Sequence, residues 1–338
     1  EIKLTMCYNR IRRFGDNMKK VVILGGGTGL SALLRGLKLF PIDITAVVTV
    51  ADDGSSTGRL RKEFNIPAVG DLRKVLVSLA EVEPLVEELL QYRFDTYSDL
   101  DKHTVGNLML TALYNITGSL TKSLESLSKI LNIKGKVLPF TEDKPVLVAH
   151  MTDGTIVEGE EEITLAHKKI DKIKYKNKIK VTDEVLKAIA EADLIIIGIG
   201  SLYTSIIPNL LTKEVKKALI NAKAKKMYIC NIMSQHGETD GFKASDCIKE
   251  INKYVCKDFI DVVLTNSTKI NNEILERYKE EISEPIFVDK ETIKKMNVEL
   301  INKDLLNTKD NQAKHDSLKT ATELFSIVIL IESSIMAL

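Results

Sequence analysis

Tryptophan is absent from this 338-residue chain, and aromatic residues of all kinds make up only 5% of it. Flat stacking platforms for a ring-shaped ligand are therefore scarce, although tyrosines and apolar side chains can also line such a pocket. Net charge is missing as well. With 48 basic side chains against 47 acidic ones, there is no electrostatic case for nucleic acid. The four cysteines, Cys7, Cys230, Cys247 and Cys256, lack metal-like spacing and read as reduced thiols of a cytoplasmic protein. No apolar run is long enough for membrane insertion. The longest, over 324–338, is short and carries Glu332 and serines. A secretory leader is not expected, because residues 1–17 are basic without an apolar core.

What the chain does have is organised around residues 19–59. Val21, Val22, Ile23 and Leu24 form a continuous apolar run, the mark of a parallel strand buried on both faces. Gly25, Gly26, Gly27 and Gly29 follow. A helix then carries Leu30, Leu33, Leu34 and Leu37 on one side, stops at Pro41, and gives way to a second strand over 44–50. Glycines let the backbone approach a ligand, and the free N–H groups and dipole of the next helix attract an anion. Thr28 and Ser31 add hydroxyls. Asp52 lies 23 residues past Gly29, near the place where a dinucleotide-binding turn sets an acid on a ribose hydroxyl. The fit breaks at Leu30, where that fingerprint has Gly or Ala, and no Gly-Lys-Ser/Thr phosphate loop is present. A tight turn without ligand and an NAD-linked oxidoreductase both stay open on these residues.

The second turn, over 51–59, carries the adjacent carboxylates Asp52 and Asp53. They could hold Mg²⁺, accept ribose hydroxyls or act as a base; Asx-turn chemistry uses the same residues. Residues 70–93 read as helical, with Asp71 as a cap and a break at Pro84. His103 and Asn107 stand one helical turn apart, so both can face one site. Over 136–180 the texture changes: a β-hairpin over 146–158, then a polar, Lys-rich segment, together read as a small β insertion. The strand–helix rhythm resumes at Thr182. A strand over 194–199 ends in a glycine and hydroxyl turn (198–205), and a helix follows Pro208. Further strands are expected over 227–232, 261–265 and 286–289, with a polar loop over 233–242 and a last helix from about His315. The pattern predicts a doubly wound, mostly parallel α/β sheet of about six strands with a small β-hairpin insertion. In domain terms it predicts an N-terminal extension over 1–18, expected to be poorly ordered, and a single α/β nucleotide-binding domain over 19–338 with the insertion at about 136–180.

The segments GGGTGLSALLRGLK, TVADDGSSTGRLR, GDLRKVLVSLAE, HTVGNLML, GIGSLYTSIIPNLL and CNIMSQHGETDGF, in this order, resemble the gluconeogenesis factor family (YvcK-like proteins). These are bacterial relatives of 2-phospho-L-lactate transferase. The resemblance implies a Rossmann-like core and a cytoplasmic regulatory factor that binds UDP-sugars such as UDP-N-acetylglucosamine. It also implies a need for the protein in cell shape and cell-wall synthesis during gluconeogenic growth, with protein partners in wall synthesis and homo-oligomerisation left open. The alternative it implies is an Mg²⁺-dependent transferase with a nucleotide-diphosphate-activated donor. By resemblance, Gly26, Gly27, Thr28 and Gly29 match a first phosphate turn, and Gly200, Ser201, Leu202 and Tyr203 a second. Asp52 and Asp53 match the acceptor and metal turn of the transferase branch. His103, Gly106 and Asn107 match a motif near the cleft, and His103 joins the two aspartates as a catalytic candidate. Asn231, Gln235 and the 237–241 loop match the region facing the nucleotide, and Tyr278 a tyrosine that holds the sugar nucleotide. Two departures stand out. The acidic turn has one glycine fewer than is usual, and Lys314 replaces an expected arginine, keeping the charge but losing the bidentate fork.

Overall fold

A computed structural model describes residues 18–335, with side chains described up to residue 330. The extension expected over 1–18 lies outside the described residues, apart from the exposed Met18. Strand β1 (Lys20–Gly25) passes through the glycine turn into α1 (Gly27–Leu37) and then β2 (Asp43–Val48). Five helices follow: α2 (Ser55–Phe64), α3 (Gly70–Leu79), α4 (Pro84–Gln91), α5 (Val105–Thr117) and α6 (Leu120–Ile130). After β3 (Lys136–Pro139) come β4 (Leu147–Met151), β5 (Ile156–Glu158), the short α7 (Glu160–Leu165) and β6 (Ile170–Tyr175). Helix α8 (Asp183–Glu191) leads to β7 (Leu194–Ile197). A π turn (Leu202–Ile206) and a 3-10 turn (Ile207–Leu210) precede α9 (Lys213–Asn221) and β8 (Lys225–Ile229). Then come α10 (Ala244–Tyr254), β9 (Val262–Asn266), α11 (Asn272–Glu280), α12 (Lys290–Lys295) and β10 (Glu299–Lys303). The two-residue strands β11 (Leu306–Asn307) and β12 (Lys314–His315) lead into α13 (Ser317–Ile335).

The main sheet has seven strands in the order β10-β9-β8-β7-β1-β2-β3, and every pairing in it is parallel. Strand order runs outward from β1 in one direction and outward from β7 in the other. The β1–β7 boundary is thus the topological switch point, where an open parallel sheet has its binding crevice beyond the carboxyl ends. Alternate residues serve two cores. Val21 and Ile23 of β1 pack with α1, α3 and α13, while Val22 and Leu24 pack with α8, α9 and α10. Each of these four side chains is essentially fully buried, and burial of one such side chain contributes about 2 kcal/mol. That two-sided burial is why the run reads as continuous rather than alternating.

Several expectations are corrected. The sixth strand is β10, not residues 286–289. Phe287 makes only an isolated bridge to Lys243, and Asp289 instead accepts hydrogen bonds from the Ser245 N–H and Oγ at the start of α10. β10 is a half-exposed edge strand with polar ends, so it lacks the apolar signature. Lys136–Pro139, read as the start of the insertion, is the opposite edge of the main sheet. The antiparallel sheet has three strands, β5-β4-β6, and its third strand is the Lys-rich segment: Ile170 and Ile173 point inward while the lysines point out. Residues 55–59, read as part of a turn over 51–59, open helix α2, whose inner face is mostly small (Ser56, Thr57, Gly58) and hides its period. Pro208 sits in the 3-10 turn, so the helix after it begins only at Lys213. Among the described residues no helix is long and apolar enough to cross a membrane.

Candidate functional site

The carboxyl ends of β1, β2, β7 and β8 converge at the switch point. Gly27, the first residue of α1, takes φ +71°, a conformation that favours glycine. Its N–H is not free. Asp71 of α3, expected as a cap of its own helix, reaches across instead, and its Oδ2 accepts from Gly27 N at 2.7 Å. Lys74 Nζ donates to the other oxygen at 3.0 Å. The positive end of α1 is thus partly satisfied by an internal carboxylate. The N–H groups of Thr28 and Gly29, in the same first turn, have no intrahelical carbonyl to reach. Gly29 packs so closely on the β7 turn that a Cβ there would meet Ile199 Cγ2 at 2.9 Å.

The glycine and hydroxyl turn after β7 is held the same way. Glu238, buried in the polar loop, accepts from Tyr203 N at 2.9 Å, Thr204 Oγ1 at 3.2 Å and Gln235 Nε2 at 3.1 Å. Burial pushes its carboxyl up to about 7. Leu202 and Tyr203 turn their side chains into the core, and Gly200 offers its carbonyl to Asn231 Nδ2 at 2.9 Å.

Two cavities flank the exposed Thr28, which lines both. One, of about 250 Å³, is bounded by Gly29, Asn231, Met233, Lys314 and His315 with apolar neighbours. His315 donates from Nε2 to the Cys230 carbonyl at 3.1 Å, and burial pushes its pKa down to about 4, so the ring is neutral. Two polar atoms on its walls are closed to solvent and have no partner, Asn231 Oδ1 and His315 Nδ1. The other cavity, of about 210 Å³, is bounded by Asp52, Asp71, Lys74, Glu160, Thr49 and Thr204 among others. Burial, and then the Asp71 charge, pushes the Asp52 carboxyl up. Burial first, and then the carboxylates of Asp52, Asp71, Asp53 and Glu238, push Glu160 up to about 8. Glu160 comes from α7, so the β insertion supplies one wall.

The structure brings together Gly26, Gly27, Thr28, Gly29, Asp52, Asn231 and Lys314 at or beside these cavities. It separates the paired aspartates. Asp52 Oδ1 accepts from Gly54 N at 3.0 Å beside the acidic cavity, whereas Asp53 Oδ1 accepts from Glu161 N at 2.9 Å and caps α7. Among the described residues no group of three or more His, Cys, Asp or Glu side chains is arranged to hold a metal ion. Asp52 lines the acidic cavity and Asp53 does not.

His103 and Asn107 do converge, but beneath the acidic turn and away from both cavities. Ser56 Oγ lies 2.9 Å from His103 Nδ1 and accepts from Asn107 Nδ2 at 3.3 Å, and Arg73 Nε donates to Asn107 Oδ1 at 3.0 Å. All four residues are buried, and burial, then Arg59, pushes His103 down. The cluster fixes the start of α2 and with it the acidic turn. Tyr278 stands behind a wall: its hydroxyl accepts from Ala313 N at 3.1 Å and so supports the segment that carries Lys314 and His315. Gln235 braces Glu238 and lines neither cavity. Asp71, Glu160 and His315 were not expected as site residues, and Glu238 entered only within the 237–241 loop. Asp71 was expected as a helix cap, and its real partner lies 44 positions away.

Residues 21–306 match the family described as 2-phospho-L-lactate transferase CofD. The chain belongs to that family. Within the CofD family it is similar to the gluconeogenesis factor of Bacillus subtilis, at 47% identity over 310 residues, covering 91% of this chain and 98% of the relative. It is also similar to the putative gluconeogenesis factor of Thermotoga maritima, at 46% identity over 306 residues, covering 89% and 97%. A crystal structure of a Bacillus halodurans protein shares the fold at a TM-score of 0.89 and 45% identity, covering 91% of this chain and 100% of that one. The CofD match ends at residue 306, so Lys314 and His315 lie beyond it.

Proposed function

We propose that this member of the family is a regulatory factor that binds a UDP-sugar, with UDP-N-acetylglucosamine as the ligand to try first. The observation that carries the reading is the pair of unlike cavities meeting at Thr28. A nucleoside suits the apolar side. The diphosphate suits the first turn of α1 and Lys314. The acidic side then receives the far end of the ligand, where Asp52, Asp71 and Glu160 offer acceptors to hydroxyl groups and the ionised members of the group repel an anion. A neutral sugar fits that end better than an anionic acyl-phosphate tail. The similarity to proteins named gluconeogenesis factors supports a role in gluconeogenic growth. On the reading proposed here, that role is to adapt cell shape and wall synthesis, in the cytoplasm and through protein partners.

The transferase alternative draws on one specific observation. Asp52 and Glu160 both have raised pKa values in one cavity, which is the pattern of a general acid–base pair. Calorimetry with UDP-N-acetylglucosamine, GDP and NAD, each with and without Mg²⁺, separates the two. The regulatory reading expects micromolar, UDP-selective and magnesium-indifferent binding. Magnesium-dependent GDP binding without UDP binding, or turnover of a nucleotide-diphosphate donor, would replace it with the transferase.

A further inference from the structure

Two side chains of the apolar cavity are locked so that each offers only an acceptor. Asn231 is oriented by the Gly200 carbonyl. A carbonyl can only accept, so the amide nitrogen must face it and Oδ1 must face away. His315 is oriented by the Cys230 carbonyl in the same manner. Its proton sits on Nε2, and its Nδ1 carries a lone pair. Cys230 and Asn231 are adjacent in sequence, so the tie to Cys230 holds the ring beside the amide. Both acceptors are closed to solvent and unpartnered. Such orphaned atoms are uncommon and costly in a folded protein, and a ligand donor removes the cost. The wall beside them includes Met233 and Lys314, whose unbranched side chains can swing aside to admit a ligand.

We infer that Asn231 Oδ1 and His315 Nδ1 accept hydrogen bonds from the two hydroxyls of a ribose, so that the site selects ribonucleotides over deoxyribonucleotides. This rests on the nucleotide reading above and deepens it. The sugar of a nucleotide lies directly between phosphate and base, and the acceptors share their cavity with Thr28 and Gly29 at the phosphate end of α1. The remaining lining, including Ile199, Ile232 and Ala313, is apolar and suits the face of a base. Asp52, which sequence spacing would place on the ribose, lies in the other cavity across Thr28.

The test is calorimetric titration of the full chain with UDP, 2′-deoxy-UDP and N3-methyl-UDP, repeated on His315→Phe and Asn231→Leu. The native chain is expected to bind 2′-deoxy-UDP roughly tenfold or more weakly than UDP, because one buried acceptor stays unpaired. N3-methyl-UDP should bind like UDP. The acceptor that takes the 2′ hydroxyl is the one whose removal, by His315→Phe or Asn231→Leu, brings the ribo/deoxy ratio toward one; a ratio unchanged in both variants overturns the assignment. Equal binding of UDP and 2′-deoxy-UDP by the native chain overturns the assignment even if both variants fail to fold. A loss confined to N3-methyl-UDP moves the acceptors to the base edge and also overturns it. No binding of UDP at all is a different failure, that of the nucleotide reading itself.

Discussion

On one side of Thr28, Asn231 and His315 are oriented by backbone carbonyls and present neutral acceptors in an apolar cavity. On the other side, Asp52, Asp71 and Glu160 crowd carboxyl groups around a cavity of similar size, with Lys74 as the cation on its lining. Both cavities open at the same sheet edge, yet they respond to protons in opposite directions. His315 is held below the ordinary histidine value, so between about 4 and 6.5 the unfolded chain binds more protons and stability from this group rises with pH. Glu160 is held above the ordinary glutamate value, so between about 4.5 and 8 the folded chain binds more protons and stability from this group falls with pH. Polarity built from fixed dipoles is insensitive to pH near neutrality, whereas polarity built from neighbouring carboxylates is not.

The largest expected effect comes from removing the carboxylate that holds the turn after β7. Glu238→Ala leaves the Tyr203 N–H and the Thr204 and Gln235 side chains without their partner. It should lower unfolding stability in urea by about 3 kcal/mol, and a loss below about 1 kcal/mol would show that the turn holds itself. Asp71→Ala should cost less, about 1–2 kcal/mol, since Lys74 and the cavity are partly solvated. It should also strengthen inorganic phosphate binding at α1, read by titration, because the internal anion is gone. Unchanged phosphate affinity would mean that the carboxylate does not guard that helix end.

The opposed pH slopes are tested next. Glu160→Gln should flatten the loss of melting temperature between about pH 6.5 and 8, above the interval in which His315 titrates. His315→Phe should change only the region below about pH 6.5, and there in the opposite sense to Glu160→Gln. If the two variants change the slope below about pH 6.5 in the same sense, the two cavities are not electrostatically distinct. The smallest effect belongs to Asp53→Ala, which removes the cap on α7 and should cost about 0.5–1 kcal/mol.

The main sheet was legible because its central strands are buried on both faces, as in Val21–Leu24 and Leu194–Ile197. Its edges were not, since β3 and β10 are half-exposed and mix lysine, asparagine and glutamate with their apolar residues. The glycine turns were legible through composition. Their occupants were not, because Asp71 and Glu238 act across 44 and 35 positions of sequence and look locally like a cap and a loop residue. The adjacency of Asp52 and Asp53 suggested a joint role. At the start of α2 the backbone sends one side chain to the cavity and the other to α7, and neither spacing nor charge reveals that division.

The two-cavity assignment is tested most directly by calorimetric titration of UDP and UDP-N-acetylglucosamine against the native chain, Asp52→Asn and Glu160→Gln. On the proposed reading the sugar adds affinity only through the acidic cavity, so the expected result is a gain of UDP-N-acetylglucosamine over UDP in the native chain that shrinks in both variants, with UDP itself unaffected. Equal weakening of UDP and UDP-N-acetylglucosamine in both variants would contradict the division at Thr28 and place the nucleotide among the carboxylates.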